Sequence, residues 1–205
     1  MPKKKLLSNS YQYIDPHFTY INPNSGILFN LQGIEDPEVF IFFESGSVAK
    51  RLNQLHANPI KIIGIETLFE IHKFLFQDIF SWAGETRKVE ISKDGKQFFP
   101  IAFFESGFKY LENLINTYKS IPKDDKLQLS EKLAEILDNL NYLHPFREGN
   151  GRTQREFLRV LALEKGYSLN LNPPDNKDIY DRYMNGTIDS DLKILNSLIF
   201  EQLMH

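Results

Sequence analysis

One run of twelve residues governs the reading of this chain: His144-Pro145-Phe146-Arg147-Glu148-Gly149-Asn150-Gly151-Arg152-Thr153-Gln154-Arg155. Pro145 and Gly149-Asn150-Gly151 interrupt helical patterning, and residues 153–165 resume it, so the run is a loop that opens a helix. At such an opening the first backbone N–H groups have no carbonyl four residues back, and glycines let an anion come close. Arg152 and Arg155 are three apart and share a face of the first turns. Two guanidiniums beside a nest of amides suit a polyphosphate. Glu148 would repel that anion unless a cation lay between, and Mg²⁺ takes one or two carboxylates together with phosphate oxygens. His144, just before the loop, has the chemistry of a general base near neutral pH. Each residue alone has an ordinary reading: Gly-Asn-Gly turns are common, Arg147 and Arg155 suit a solvated face, and a lone histidine is more often structural. Together within twelve residues they spell transfer of a phosphate-linked group.

Upstream, Ile65, Leu68, Phe69, His72, Leu75, Phe76, Ile79 and Phe80 recur at three- and four-residue spacing. This predicts an amphipathic helix ending before Ser81-Trp82-Ala83-Gly84. Val89 and Ile91 then alternate with charged residues up to Asp94-Gly95, with Phe98-Phe99 beyond and Pro100 closing: a β-hairpin pattern. Phe104, Phe108, Leu111, Ile115 and Tyr118 mark a helix that stops before Pro122. Ser130 reads as the N-cap of the next, with Leu133, Ile136, Leu137 and Leu140 on one face. The helix over 153–165 closes at Gly166. Pro173-Pro174-Asp175 starts a short helix, and Leu192, Leu195, Ile199 and Leu203 mark the last. Residues 8–35, rich in Tyr, Pro and Gly, read as an irregular arm. Residues 37–56 combine strand-forming Val39 to Phe43 with helix-forming Ala49-Lys50-Arg51-Leu52, and helix is preferred. The sum is an all-α domain interrupted by one hairpin.

Composition bounds the function. The 205 residues allow one domain with a modest extension, large enough to bury a core without staples. Hydrophobic residues at 41% and charged residues at 25% exclude a wholly disordered chain. Seventeen Phe and nine Tyr predict an aromatic-rich core. A net charge of −3 gives no global basic field, which disfavours direct nucleic-acid and anionic-membrane binding. No cysteine is present, so disulfides and thiolate metal sites are out, and a reducing compartment fits. The longest apolar run, Val39 to Phe43, is too short to span a bilayer. Leu6-Leu7 after Lys3-Lys4-Lys5 is too short for a signal-peptide core, and the lysines read as a solvated end. His56, His72 and His205 show no metal-ligand spacing and read as structural or exposed.

The twelve-residue run resembles the Fic (filamentation induced by cAMP) domain signature, H-x-F-x-[D/E]-G-N-G-R-x-x-R. His144, Phe146, Glu148, Gly149, Asn150, Gly151, Arg152 and Arg155 fill every specified position. The Tyr/Pro/Gly-rich arm, the helix ending at Ser81-Trp82-Ala83-Gly84 and the hairpin near Lys93 also have counterparts in toxin-type Fic proteins and in secreted effectors of the Bartonella type. The resemblance covers about residues 10–203 and is most secure over 64–166. It implies an all-α Fic fold with a β-hairpin flap over the active site. On that reading the arm covers residues 1–36 and the Fic domain 37–205, with its core at 64–166, its flap at 87–98 and C-terminal helices at 175–203.

The resemblance further implies transfer of AMP from ATP to a Ser, Thr or Tyr hydroxyl of a target protein, with release of pyrophosphate. His144 would take the hydroxyl proton, and Glu148 would hold Mg²⁺ between the α- and β-phosphates. Gly149, Asn150 and Gly151 would form the anion hole, Arg152 would bind the β-phosphate, and Arg155 would help hold the γ-phosphate. Phe146 would anchor the loop in the core. The target segment would pair with the exposed edge of the flap, clamped by Lys93 and Phe98, with Lys93 also among the nucleotide- and phosphate-binding residues; an ordinary solvated lysine and a core phenylalanine are the plain alternatives. Tyr180 and Tyr183 would line the adenine pocket or simply pack the helices. Phosphate transfer in the family goes with a lysine in place of Gly151, so that branch is disfavoured. Transfer of UMP or phosphocholine, removal of AMP, and nucleotide binding without turnover stay open.

Many Fic domains are silenced by a helix carrying [S/T]-x-x-x-E-[G/N], whose glutamate pairs with the second motif arginine. Ser81/Glu85, Thr86/Glu90 and Ser197/Glu201 have the spacing, but Thr86, Ile91 and Gln202 follow them. The inhibitory helix is therefore expected on a small separate antitoxin, with Glu201 as the self-inhibitory alternative. The expected place of action is a bacterial cytoplasm, or another cell reached through a secretion system.

Overall fold

Asp36 starts the first helix, α1 (Pro37–Ala57). Its carboxylate accepts the backbone N–H groups of Glu38 and Val39, and Pro37 sits in the first turn, where a missing N–H is harmless. That cap makes the ambiguous stretch helical despite its strand-forming residues. The computed structural model describes residues 11–14, 17–93 and 95–205. Lys3–Lys5, and Asp94 of the hairpin turn, lie outside the described residues.

The chain continues through α2 (Glu66–Phe76), α3 (Phe104–Ser120), α4 (Lys126–Leu143), α5 (Asn150–Glu164), α6 (Lys177–Asp189) and α7 (Leu192–Gln202). α4 is the central rod. It buries Leu133, Ile136, Leu137 and Leu140, and α3, α5 and α7 all pack on it. α2 lies against α5, α1 against α2, and α6 against α7. The core is aromatic where α2 meets α5: Phe76, Phe80, Phe146 and Phe157 are all buried. A side chain of that size contributes about 1.5–3 kcal/mol when fully buried. Among the described residues no helix is long and apolar enough to cross a membrane.

Three expectations need correction. Ser130 does not cap α4; Asp125 does, accepting from the Gln128 N–H at 3.0 Å. Ser130 lies inside the helix, buried, its hydroxyl 2.8 Å from the Leu127 carbonyl and from Asn196 Oδ1. The carboxylate one turn earlier caps as well as a hydroxyl, so the helix begins there. α2 ends at Phe76, not Phe80, although Ile79 and Phe80 remain buried in the turns that follow. The N-terminal arm is not wholly irregular. It supplies β1 (Tyr11–Ile14), which pairs antiparallel with β2 (Glu90–Lys93), itself paired with β3 (Lys96–Gln97). Tyr11 lies opposite Lys93 and Ile14 opposite Glu90. The outer edge of β2, whose N–H and C=O groups need partners, is thus covered by the chain itself. β3 keeps the other edge, and Gly95 supplies the left-handed turn at φ 79°.

Candidate active site

α4 ends on His144, which adopts a left-handed backbone at φ 44°, uncommon for a side-chain-bearing residue. That reversal turns the chain into the loop 145–149. Asn150 then ties the loop shut: its Oδ1 accepts the Phe146 N–H at 3.0 Å, and its Nδ2 donates to the Phe146 carbonyl at 2.8 Å. The loop could not close around a larger residue at Gly149. An added Cβ would lie 2.3 Å from the Phe76 ring, and φ there is 82°. The N–H groups of Asn150, Gly151 and Arg152 begin α5, where the helix supplies no acceptor for them.

The loop, the flap and α6 enclose a cleft of about 570 Å³. His144, Glu148, Gly149, Gly151, Arg152, Arg155, Lys93, Phe98, Tyr180 and Tyr183 all line it. Asn150 does not: its side chain is spent on closing the loop, so only its backbone N–H is placed for an anion. Phe146 is buried beneath the loop, its ring stacked 3.8 Å from that of His72. Phe98 lies over His144, ring centres 3.9 Å apart. Tyr180 and Tyr183 stand 5.9 and 5.3 Å from the Arg155 guanidinium. Arg152 donates to Glu44 Oε1 on α1 at 2.7 Å and lies 3.6 Å from Glu148. Among the described residues no carboxylate is within ion-pair distance of Arg155. Glu201 is held instead by Arg182, at 2.7 and 2.9 Å.

His144 Nδ1 lies 3.2 Å from the Asn141 carbonyl, an acceptor only, so that nitrogen carries the proton and Nε2 the lone pair. Burial drives its pKa down to about 3, with Arg87 and Lys93 pushing the same way against the Asn141 hydrogen bond. The imidazole is therefore neutral at pH 7.

Two positioning residues escaped the sequence reading. His72 is buried, with its tautomer fixed: Nδ1 accepts the Gly84 N–H at 2.8 Å, so Nε2–H donates to the Glu148 carbonyl at 3.0 Å. Arg87 is 1% exposed. Its Nε donates to the His144 carbonyl at 2.9 Å, one terminal nitrogen donates to the Val89 carbonyl and to Glu90, and the other donates to the Phe99 carbonyl. Its own N–H donates to the Pro145 carbonyl at 2.7 Å. His72 gave one local sign, a polar residue within the apolar stripe of α2, while Arg87, between Thr86 and Lys88, gave none.

This arrangement has relatives. The sequence model described as the Fic/DOC family matches residues 62–162. A probable protein adenylyltransferase Fic of Salmonella typhimurium is 31% identical over 150 residues, covering 73% of this chain and 74% of that protein. The chain belongs to the Fic/DOC family. The protein adenylyltransferase VbhT of Bartonella schoenbuchensis is 34% identical over 161 residues, 78% of this chain, and the match spans about a third of that relative's length, 34%. The Fic fold itself is shared with the translocated effector BepC of Bartonella tribocorum, crystallised with AMPPNP. The two superpose with a TM-score of 0.77 at 22% identity, covering 90% of this chain and 96% of that one.

Proposed function

We propose that this chain is a protein adenylyltransferase. The observation that carries the reading is a neutral, buried His144 facing a cleft floored by the N-terminus of α5 and flanked by Arg152 and Arg155. A hydroxyl of the target attacks the α-phosphorus of ATP and its proton passes to His144 Nε2. The bond to the bridging oxygen breaks, and pyrophosphate leaves against the guanidiniums of Arg152 and Arg155 and the α5 amides. The adenylyltransferase names of the relatives and the AMPPNP on BepC support the same chemistry.

The donor set fits a magnesium ion that arrives with the nucleotide. Glu148 offers one carboxylate beside the phosphate floor, and no group of three ligating side chains exists among the described residues. Glu148 would hold Mg²⁺, whose charge offsets that developing on the leaving pyrophosphate. Tyr180 and Tyr183 would bound the adenosine side. An extended target segment would add to the β3 edge beside Lys93 and Phe98, since β1 occupies the other. Inhibition would come from a partner bearing a glutamate for Arg155, because Glu201 is engaged by Arg182. Dependence on ATP places the reaction in a cytoplasm, that of the producing bacterium or of a cell into which the chain is delivered.

The test is labelling with ATP radioactive at the α-phosphate, in Mg²⁺, by wild type and His144→Ala. The expected result is transfer of label to protein, reduced about 10²–10⁴-fold in the variant while its affinity for Mg-ATP persists. Near-normal labelling by His144→Ala would remove His144 from the chemistry. Nucleotide binding without any labelling would make the chain a sensor rather than a transferase.

A further inference from the structure

We propose that Glu44, on α1, is a positioning residue that holds Arg152 in its phosphate-binding pose. The proposal rests on Arg152 being a phosphate ligand. Glu44 lies 108 residues away in sequence and outside the region 62–162 matched by the family model. It sits one turn after Phe40 and one turn before Val48, both buried, so a carboxylate occupies the inward stripe of α1. Its side chain is 15% exposed. A buried charge demands a partner, and the partner present is Arg152 at 2.7 Å.

The contact orients and does not block. Arg152 lines the cleft and Glu44 does not, so the carboxylate grips the guanidinium from behind. It uses one terminal nitrogen, and an arginine offers five N–H donors, which leaves others facing the cleft. The Phe76 ring supports the guanidinium at 4.8 Å, and Phe76 is itself locked against Gly149. Glu148 is the competing partner at 3.6 Å. Without Glu44 the arginine would swing to Glu148, spoiling the phosphate clamp and the carboxylate assigned to the cation at once. α1 is anchored by its Asp36 cap and by Phe40 against Phe80, so it gives Glu44 a rigid mount.

Calorimetric binding of Mg-ATP and of adenosine, by wild type, Glu44→Ala, Glu44→Gln, Arg152→Ala and the double alanine variant, tests this. Glu44→Ala should weaken Mg-ATP about tenfold and leave adenosine unchanged. Glu44→Gln, whose side-chain carbonyl still accepts from Arg152, should recover most of the loss. In the Arg152→Ala background Glu44→Ala should add nothing. The proposal is overturned if Glu44→Ala binds Mg-ATP as well as wild type or better, or if it lowers the melting temperature without changing the ratio of the two affinities. An undiminished further loss in the Arg152→Ala background overturns it too. If Arg152→Ala itself binds Mg-ATP normally, the phosphate reading fails first and takes this one with it.

Discussion

Lowering the pH from 7 to 5 should remove about 4 kcal/mol of stability through two side chains. Burial is the largest cause in both. It lowers His72 to about 4 and His144 to about 3. Hydrogen bonds to the Glu148 and Asn141 carbonyls oppose the shift, and neighbouring cations reinforce it: Arg152 for His72, Arg87 and Lys93 for His144. In the unfolded chain both return to the ordinary value of 6.5. The folded values lie below the unfolded ones, so the unfolded chain binds the extra protons. Stability is complete above 6.5 and falls as the pH drops from there towards 4 for His72 and towards 3 for His144. By pH 5 each histidine costs roughly 2 kcal/mol at about 1.36 kcal/mol per pH unit. The sum is a large share of the roughly 5–15 kcal/mol that holds a domain together. For His72 the reason is visible. A proton on Nδ1 would turn the acceptor of the Gly84 N–H into a second donor. Urea unfolding followed by circular dichroism, at pH 7 and pH 5 and constant ionic strength, measures the difference. His144→Asn, which tolerates a left-handed backbone, should abolish about half of it. Equal stability at the two pH values, or an undiminished loss in His144→Asn, would refute the neutral buried pair.

Gly149→Ala should destabilise by about 2–5 kcal/mol, combining a left-handed alanine with overpacking against Phe76; an unchanged melting temperature would mean that the loop re-forms around the methyl group. Glu201→Ala removes an exposed ion pair with Arg182, so stability should move by no more than about 1 kcal/mol. Labelling by the chain alone should also stay the same, and a many-fold rise would show that Glu201 reaches Arg155 and restrains it.

The cleft's floor was readable because its residues are neighbours in the chain. A loop and the first turns of a helix bring 144–155 together by local geometry alone. What was not readable is what holds that floor in place. Arg87 reaches the His144 carbonyl across 57 positions, His72 reaches Glu148 across 76, and Glu44 reaches Arg152 across 108. No periodicity encodes such pairs; they appear only when the helices have packed. Glu44 shows the difficulty well, since it occupies an inward stripe where patterning expects an apolar residue. β1 was missed for a related reason: a strand at a sheet edge owes its existence to the neighbour it covers, and four residues carry little signal of their own. α1, by contrast, was legible as a helix from Ala49-Lys50-Arg51-Leu52 despite the strand-like run before them, while the Asp36 cap that starts it was not read.

Arg87 ties the β2–β3 ribbon to the His144 loop at a single joint. The same guanidinium fastens both ends of the β2–β3 ribbon and the carbonyl of His144, so the ribbon's root cannot change without displacing His144. Freedom to change sequence is left to the far end of the ribbon, at Ser92, Lys93, Lys96 and Gln97. On the proposed reading of the flap, a lineage of such proteins would vary its targets by changing a few tip residues while the loop beneath stays fixed.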